Sequence, residues 1–360
     1  MTKEVKSMEK PVVLVTGSSG LIGAAAIRAL SPHYTMVGFD REGNPHPPPM
    51  AECVCVDLMS VESISEAFER VRYAYGNHLA SVVHLAAYYD FSGKPSPKYE
   101  EITIRGTERL LNALRDFRVD QLLFSSTMLV HAPSEPGRAI NEDSPLEPKW
   151  DYPKSKVETE NLIRERRGEM PAVILRIAGV YDDLCHSIPI AHQIQRIYER
   201  RLISRVFPGN PSHGQAFVHL DDVVGAIAAA VKRRSQFSSE TILLIGEAET
   251  LSYDELQHLL GRLIHGEELE TKEIPKSVAK AGAWLQDEVP GEEPFIKPWM
   301  IDLADDHYEL DISRARSALG WQPRRSLRQA LPRIVERLKA DPAQWFRENK
   351  LESPVKLHAA

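Results

Sequence analysis

The sequence contains a tyrosine and a lysine, four residues apart, whose side chains could act together on a substrate. Tyr152 and Lys156 stand at positions i and i+4, so they would lie on one face of a helix. A tyrosine with its ordinary pKa of about 10 is a poor base at pH 7. A nearby ammonium group would stabilise the phenolate and lower that pKa, and the pair would then serve as a general acid and base. The alternative is an ordinary pair on a surface helix.

Hydroxyl side chains precede this pair by about 25 residues. Ser125, Ser126 and Thr127 lie at the end of a predicted strand, Gln121–Ser125. In open α/β sheets, sites lie at the carboxyl ends of the strands. A hydroxyl group there can bond a substrate carbonyl or alcohol oxygen as charge develops on that oxygen. A polar turn at the end of a strand is the alternative interpretation.

A glycine-rich loop near the N-terminus has the spacing G-x-x-G-x-x-G. It lies between a predicted strand, Val12–Thr16, and a predicted helix, Leu21–Leu30. Glycine in such a loop permits a tight turn, close approach of the backbone to a pyrophosphate, and close packing of helix on strand. The free N–H groups of the helix N-terminus favour phosphate oxygens. The pattern predicts that a dinucleotide is bound by Gly17, Ser19, Gly20, Leu21, Ile22 and Gly23.

An acidic residue completes this pattern. Asp40 ends the second predicted strand, where a carboxylate can accept a hydrogen bond from the 2′-hydroxyl of an adenosine ribose. It would repel a 2′-phosphate, which favours NAD. The adjacent Arg41 could pair with that phosphate instead, so NADP is not excluded. Asp57 and Leu58, after the third strand, would meet the adenine edge or form an ordinary turn.

The elements that must position these residues follow an alternating pattern. Strands separated by helices of 10–15 residues or more are typical of βαβ units and a parallel sheet with helices on both faces. The predicted strands are Val12–Thr16, Met36–Asp40, Cys53–Asp57, Ser81–Ala86, Gln121–Ser125 and Ala172–Ile177. The predicted fold class is therefore α/β, a Rossmann-type doubly wound parallel sheet with a smaller, discontinuous C-terminal substrate lobe.

The pattern changes after about residue 180, and this change sets the predicted domains. Residues 10–180 and 216–245 are predicted to form the NAD(P)-binding Rossmann domain. Residues 181–215 and 246–330, which are less regularly periodic, are predicted to form the substrate-binding lobe. Residues 331–360 are expected to be a C-terminal helical extension.

Composition excludes several classes of protein. The chain has 360 residues, with 44 Lys and Arg against 51 Asp and Glu, and this net charge of −7 argues against a nucleic-acid partner. No apolar run reaches the ~20 residues that a membrane-spanning helix needs, and the charged N-terminus lacks the apolar core of a signal peptide. Three cysteines without other ligands at metal-binding spacing argue for no metal and for a reducing compartment, so a cytoplasmic protein is expected.

Taken in order, the motifs resemble the extended short-chain dehydrogenase/reductase family, often called NAD-dependent epimerases/dehydratases. The likeness covers residues 12 to about 335. The segments that carry it are TGSSGLIG, Asp40, Asp57-Leu58, HLAA (84–87), Gly106-Thr107, FSST (124–127), Tyr152 with Lys156, LRIAGVY (175–181), FVHLDDV (217–223) and ALGWQP (318–323).

The resemblance assigns roles to individual residues. It implies that Tyr152 and Lys156 are catalytic, and that Lys156 also holds the nicotinamide ribose. Alignment on the hydroxyl-x-x-x-Tyr-Gly pattern of the family, which reads His131-Ala132 here, makes Thr127 the catalytic hydroxyl and Ser126 the second choice. It also implies cofactor contacts for Leu85, Ala86 and Ala87, and substrate contacts or simple packing for Tyr88 and Tyr89.

Departures from the family pattern reduce the number of activities that the resemblance implies. The 4,6-dehydratases carry an acidic pair directly after the catalytic hydroxyl residue, whereas Met128 and Leu129 here cannot protonate a leaving hydroxyl. Gly179 and Gln215 stand where many nucleotide-sugar enzymes place an Asn and an Arg that serve the diphosphate. Thr103 replaces the usual Asn, which weakens any Asn-assisted proton relay.

Three functions fit these observations. The first is an NAD(P)-dependent oxidoreductase that transfers a hydride at a carbinol or carbonyl carbon of a small molecule. The second is a nucleotide-sugar epimerase with tightly held NAD, which would show no net turnover of free NAD(P)H. The third is a non-catalytic dinucleotide sensor, against which the Tyr152, Lys156 and Thr127 set argues. A homodimer is left open, and the sequence does not identify the substrate.

Overall fold

The fold is described here from a computed structural model. Residues 1–9, on which the signal-peptide interpretation depends, lie outside the described residues, and so do residues 353–360 of the predicted C-terminal extension. The structure describes residues 10–41, 48–90, 94–279 and 301–352.

A parallel seven-stranded sheet lies at the centre of the fold, and it confirms the predicted α/β doubly wound architecture. Its strands are β1 (Val12–Thr16), β2 (Thr35–Asp40), β3 (Glu52–Cys55), β4 (Ser81–His84), β5 (Leu122–Thr127), β6 (Ala172–Ile177) and β7 (Glu240–Ile245). Their spatial order is β7-β6-β5-β4-β1-β2-β3. The direction of winding reverses beside β1, and ligands bind such sheets at the strand carboxyl ends near that point.

Helices cover both faces of this sheet because successive strand residues point to opposite sides. The helices are α1 (Leu21–Leu30), α2 (Val61–Tyr75), α3 (Arg105–Leu114), α4 (Asp151–Arg166), α5 (Ile188–Tyr198), α6 (Leu220–Lys232), α7 (Tyr253–His265), α8 (Ser313–Leu319), α9 (Leu327–Ala340) and α10 (Pro342–Glu348). On β1, Val13 and Val15 pack with α1 and α6, whereas Leu14 packs with α2, α3 and α4.

A separate apolar core lies among helices of the C-terminal half. Side chains of α5, α7, α9 and α10 form it, together with Tyr181 and Cys185. Within the predicted segment 216–245, β7 pairs with β6 in the main sheet, but Phe217–His219 pairs with Gly179–Tyr181 outside it. The division into two domains stays a prediction.

Candidate active site

The glycine loop after β1 is packed so closely that side chains are excluded from it. Gly17 has a φ of +69°, and a Cβ there would lie 3.0 Å from the Ala86 nitrogen. A Cβ on Gly23 would lie only 2.1 Å from the Gly17 carbonyl oxygen. The Gly20 N–H donates to that same oxygen over 3.1 Å. With no side chains at its three glycines, the loop presents its backbone beside the N-terminus of α1. Binding of a dinucleotide requires such a close approach of the backbone to the phosphates.

Replacing Gly23 with Ala should damage this loop. The new methyl group would overlap a backbone carbonyl, so we expect a loss of about 1–3 kcal/mol in unfolding free energy. We expect NAD affinity, measured by calorimetry, to fall at least about tenfold, because the displaced backbone belongs to the loop that is predicted to hold the phosphates. Gly225→Ala in α6 is the control: its nearest neighbours lie 3.5 Å away, so stability should stay or rise. Equal effects of the two changes would contradict this account of the loop.

The acidic residue that ends β2 and the one that follows β3 have different surroundings. Asp40 accepts hydrogen bonds from the Ser19 N–H (2.8 Å) and the Arg41 N–H (2.9 Å), which tie it to the glycine loop. The side chain of Asp57 accepts from the Met59 N–H (2.9 Å), as in an ordinary turn after a strand. The ribose and adenine roles of these residues, and the roles of Arg41 and Leu58, stay predictions.

A buried polar chain holds the segment after β4 against the glycine loop. The Thr16 hydroxyl accepts from the Leu85 N–H (3.2 Å) and the Ala86 N–H (3.1 Å) and also contacts His84 Nδ1 at 2.7 Å. His84 Nε2 lies 2.9 Å from the hydroxyl of Thr107. Burial lowers the pKa of His84 to about 3, so this histidine is neutral at pH 7. Leu85 and Ala87 line the cavity described below, whereas Ala86 is not among its lining residues.

The predicted catalytic residues come together at the carboxyl end of β5. Tyr152 and Lys156 occupy the first two turns of α4, and the hydroxyl of Thr127 lies close enough to Tyr152 to act on its pKa. Lys156 is 2% exposed, and its Nζ donates to the Ser125 carbonyl over 2.7 Å. That Nζ lies 5.7 Å from the centre of the Tyr152 ring. The three side chains thus have the proximity that a proton-transfer site requires.

Burial shifts the pKa values of Tyr152 and Lys156, and the shift of the tyrosine pKa is opposite to the one expected from the sequence. It raises the pKa of Tyr152 to about 12, opposed by the hydrogen bond from Thr127. It lowers the pKa of Lys156 to about 7, opposed by the charge of Glu160. The expected lowering of the tyrosine pKa by the lysine is therefore not observed. Desolvation disfavours the charged form of both groups and is the largest cause of both pKa shifts.

A buried ion pair beneath the site was missed by sequence reasoning. Glu160 on α4 and Arg176 on β6 form a bidentate pair, with N–O distances of 3.1 and 2.6 Å. Arg176 also contacts His131 Nε2 at 3.0 Å, and burial lowers the pKa of His131 to about 4. A signal was present: an arginine within the apolar strand AVILRI needs a buried partner, and Glu160 stands one helical turn after Lys156.

This ion pair changes the interpretation of Ser126. Its hydroxyl donates to Glu160 Oε1 over 2.5 Å, so its hydrogen bond serves the fold. Both Ser126 and Thr127 line the cavity described below, and the Thr127 hydroxyl acts on the pKa of Tyr152. The catalytic role of Thr127 and the substrate contact of Ser126 stay predictions.

The two tyrosines after β4 also lie in different places. Tyr89 packs edge-on against Tyr152, with ring centres 4.8 Å apart, and lines the cavity. Tyr88 packs against Tyr99 instead, at 4.9 Å, and is not a lining residue. Only Tyr89 of the two is therefore positioned to meet a substrate.

A cavity of about 890 Å³ connects the glycine loop with Thr127, Tyr152 and Lys156. One side is formed by the glycine loop, the end of β5 and the start of α4, including Thr127, Tyr152 and Lys156. The other side is formed by residues beyond 180. Most of the latter are apolar, among them Ile188, Ile190, Ile203, Val206, Phe207, Leu251, Leu256, Ile301, Leu303 and Ala304.

Comparison with known families agrees with this geometry. A model described as "NAD dependent epimerase/dehydratase family" matches residues 13–246. The chain belongs to this family. The membership confirms the resemblance carried by the motifs, identifies NAD as the cofactor, and makes the chain an NAD-dependent enzyme of the oxidoreductase and epimerase type.

Individual relatives extend over nearly the whole chain. Human "3 beta-hydroxysteroid dehydrogenase type 7" is 26% identical over 348 residues, which cover 88% of this chain and 92% of that protein. A "Putative UDP-glucose 4-epimerase" of Methanocaldococcus jannaschii is 23% identical over 338 residues, covering 91% and 98%. Among solved structures, a UDP-glucuronic acid 4-epimerase from Bacillus cereus, in complex with UDP-glucuronic acid and NAD, has a TM-score of 0.68 at 21% identity, covering 91% and 99%. That likeness shows the fold.

Within the described ranges, no helix is both long enough and apolar enough to cross a bilayer.

Proposed function

We propose that this protein is an NAD-dependent dehydrogenase that oxidises a secondary alcohol of a bulky, apolar small molecule, or reduces the corresponding ketone. The apolar lining of the cavity beyond residue 180 is the observation that carries the proposal. The apolar walls on the side beyond residue 180 would bind a multi-ring molecule by the hydrophobic effect.

The same cavity is poorly suited to a diphosphate. A Cβ on Gly179 would lie 2.8 Å from the ring of Phe217, so an Asn at this position would collide with that ring. The side-chain amide of Gln215 donates to the Asp306 carbonyl over 2.8 Å and carries no charge. Lys149, a cation of the lining, pairs with the Asp306 carboxylate at 2.6 Å. A diphosphate would thus find neither an Asn at position 179 nor an Arg at position 215, and the guanidinium that does line the cavity, Arg196, is hydrogen-bonded to Gln193.

The roles of the catalytic residues follow from their contacts. NAD supplies the hydride acceptor when bound. Tyr152 would take the proton of the substrate hydroxyl, and Thr127, whose hydroxyl acts on the pKa of Tyr152, would orient the reacting oxygen. The Ser125 carbonyl fixes Lys156 Nζ beside the tyrosine, where an ammonium group would favour the phenolate and hold a ribose hydroxyl. Met128 and Leu129 offer no acid for a dehydration.

Two relatives support an alcohol of the steroid type as the first substrate to test. Human and mouse proteins named 3 beta-hydroxysteroid dehydrogenase type 7 match 88% and 91% of this chain. The second candidate is a nucleotide-sugar epimerase, which is favoured by relatives and solved structures named as UDP-sugar 4-epimerases. The dinucleotide sensor is disfavoured because the catalytic set lies inside the cavity.

One assay separates these candidates. The purified protein is mixed with NAD, or NADP in parallel, and with a panel of 3β-hydroxysteroids, UDP-glucose or UDP-galactose. We expect NADH absorbance to rise with a hydroxysteroid, and NAD to be preferred because Asp40 would repel a 2′-phosphate. Interconversion of the UDP-sugars without net NADH would establish the epimerase and contradict our proposal. Cofactor binding without turnover of any of these compounds would favour the sensor.

Other assignments stay predictions. They include the cofactor and substrate contacts of individual residues, the domain boundaries, a homodimer and a cytoplasmic location.

A further inference from the structure

The segment between the short strand Gly179–Tyr181 and α5 has an unusual backbone. Asp182 and Cys185 exchange two backbone hydrogen bonds, of 3.2 and 3.0 Å, and so close a tight loop. Cys185 has a φ of 88° and His186 a φ of 33°, values that side chains other than glycine rarely adopt. The Cys185 side chain is fully buried in the C-terminal core. This conformation anchors the loop through Cys185 and turns the next residue, His186, to the cavity.

The His186 ring is held by a carboxylate. Its Nδ1 lies 2.7 Å from Asp182 Oδ2, and the other oxygen of this carboxylate accepts from the Leu184 N–H over 2.9 Å. The ring is half-buried, with 28% of the side chain exposed, and it lines the same cavity as Tyr152. In the part of the chain that the structure describes, Nε2 has no hydrogen-bond partner. Asp182 therefore fixes the orientation of the ring and leaves Nε2 for a ligand.

The charges around His186 define which ligand would suit it. Asp182, Glu348 and Lys350 are the charged groups that act on it, and the hydrogen bond to Asp182 is the main reason why its pKa is raised. A protonated ring donates from Nε2, and a neutral ring with Nδ1–H on Asp182 accepts there. The carboxylate of Asp182 offsets the charge of the imidazolium, so an uncharged oxygen fits this site better than an anion.

We propose that His186 is a specificity-determining residue that binds a second oxygen of the substrate, a carbonyl or hydroxyl group distant from the carbon that exchanges hydride. The inference rests on the proposed dehydrogenase function. It deepens that function, because the substrate becomes an apolar molecule with two oxygen groups rather than one. Tyr152 would act on the first, and His186 on the C-terminal side of the cavity would bind the second.

Two variants and a matched set of steroids test this inference. The set consists of a 3β-hydroxysteroid without further oxygen and derivatives that carry one carbonyl on a distant ring or on the side chain. The value of kcat/KM is measured for the wild type, for His186→Phe and for His186→Gln. The glutamine amide can still donate to a carbonyl, whereas phenylalanine fills the space without a donor.

We expect the wild type to prefer at least one carbonyl derivative over the parent by about tenfold, the effect of one hydrogen bond from a charged donor. His186→Phe should lose this preference through a higher KM for the carbonyl derivative, and His186→Gln should keep most of it. An unchanged preference in His186→Phe, or none in the wild type, would overturn the inference and leave the dehydrogenase function standing. A wild-type protein that oxidises no hydroxysteroid would overturn both the dehydrogenase function and the role of His186. The measurements on the wild type are sufficient to detect this result.

Discussion

Replacing Tyr152 with Phe is expected to lower kcat by about 100- to 10,000-fold, the usual contribution of one general acid or base. The Thr127 hydroxyl acts on the pKa of Tyr152, and the Tyr152 ring centre lies 5.7 Å from Lys156 Nζ at the carboxyl end of β5. Phenylalanine keeps the ring that packs against Tyr89 and Trp150, so the fold should persist. The change thus removes the proton carrier and little else.

NADH formation with the hydroxysteroid that the wild type oxidises best measures this effect. NAD affinity, followed by calorimetry on the same variant, should stay within about threefold of the wild-type value, because the glycine loop is untouched. Tyr73→Phe is the matched control: this tyrosine is 95% exposed on α2, and its replacement should change neither quantity. A Tyr152→Phe enzyme with normal kcat would remove Tyr152 from the mechanism.

Replacing Arg176 with Met is expected to lower the unfolding free energy by about 3–5 kcal/mol, because it leaves a buried carboxylate without its partner. Arg176 and Glu160 are 3% and 2% exposed at their side chains, and two hydrogen bonds join them. Arg176 also contacts His131 and donates to the Glu142 carbonyl over 3.2 Å. One change therefore disturbs contacts that hold β6, α4 and the segment after β5 together.

Urea denaturation at pH 7 measures this loss. Arg164→Met provides the control, because Arg164 forms a similar pair with Glu240 but is 47% exposed, and such pairs contribute about 1 kcal/mol or less. The double variant Arg176→Met with Glu160→Leu should recover much of the stability, since it removes the unpaired charge. Equal losses from Arg176→Met and Arg164→Met, or no recovery in the double variant, would show that charge burial is not the cause.

The sequence alone determined the features that depend on local chemistry. Glycine is required at positions 17, 20 and 23 because neighbouring backbone atoms leave little or no room for a Cβ there. The G-x-x-G-x-x-G spacing indicated such a loop. The alternation of apolar strands with helices predicted the parallel sheet, because buried strands and amphipathic helices have different periods. Tyr152 and Lys156 share a helix face, as their spacing of four residues requires.

The tertiary structure decided what depends on contacts between distant segments. No local pattern separates Tyr88 from Tyr89, yet one packs on Tyr99 and the other on Tyr152. Burial of Tyr152 and Lys156 from all sides reversed the expected direction of the tyrosine pKa, because desolvation depends on the surrounding fold.

The character of the substrate side was decided in the same way. Its apolar residues come from segments between 188 and 304 that are separated in sequence, and only folding brings them to one cavity. Neighbours in sequence fix the backbone of a loop or the face of a helix, so the geometry of the glycine loop and the shared helix face of Tyr152 and Lys156 could be predicted directly. The lining of a cavity and the partner of a buried charge come from residues that are distant in sequence. Such residues become neighbours only in the folded chain.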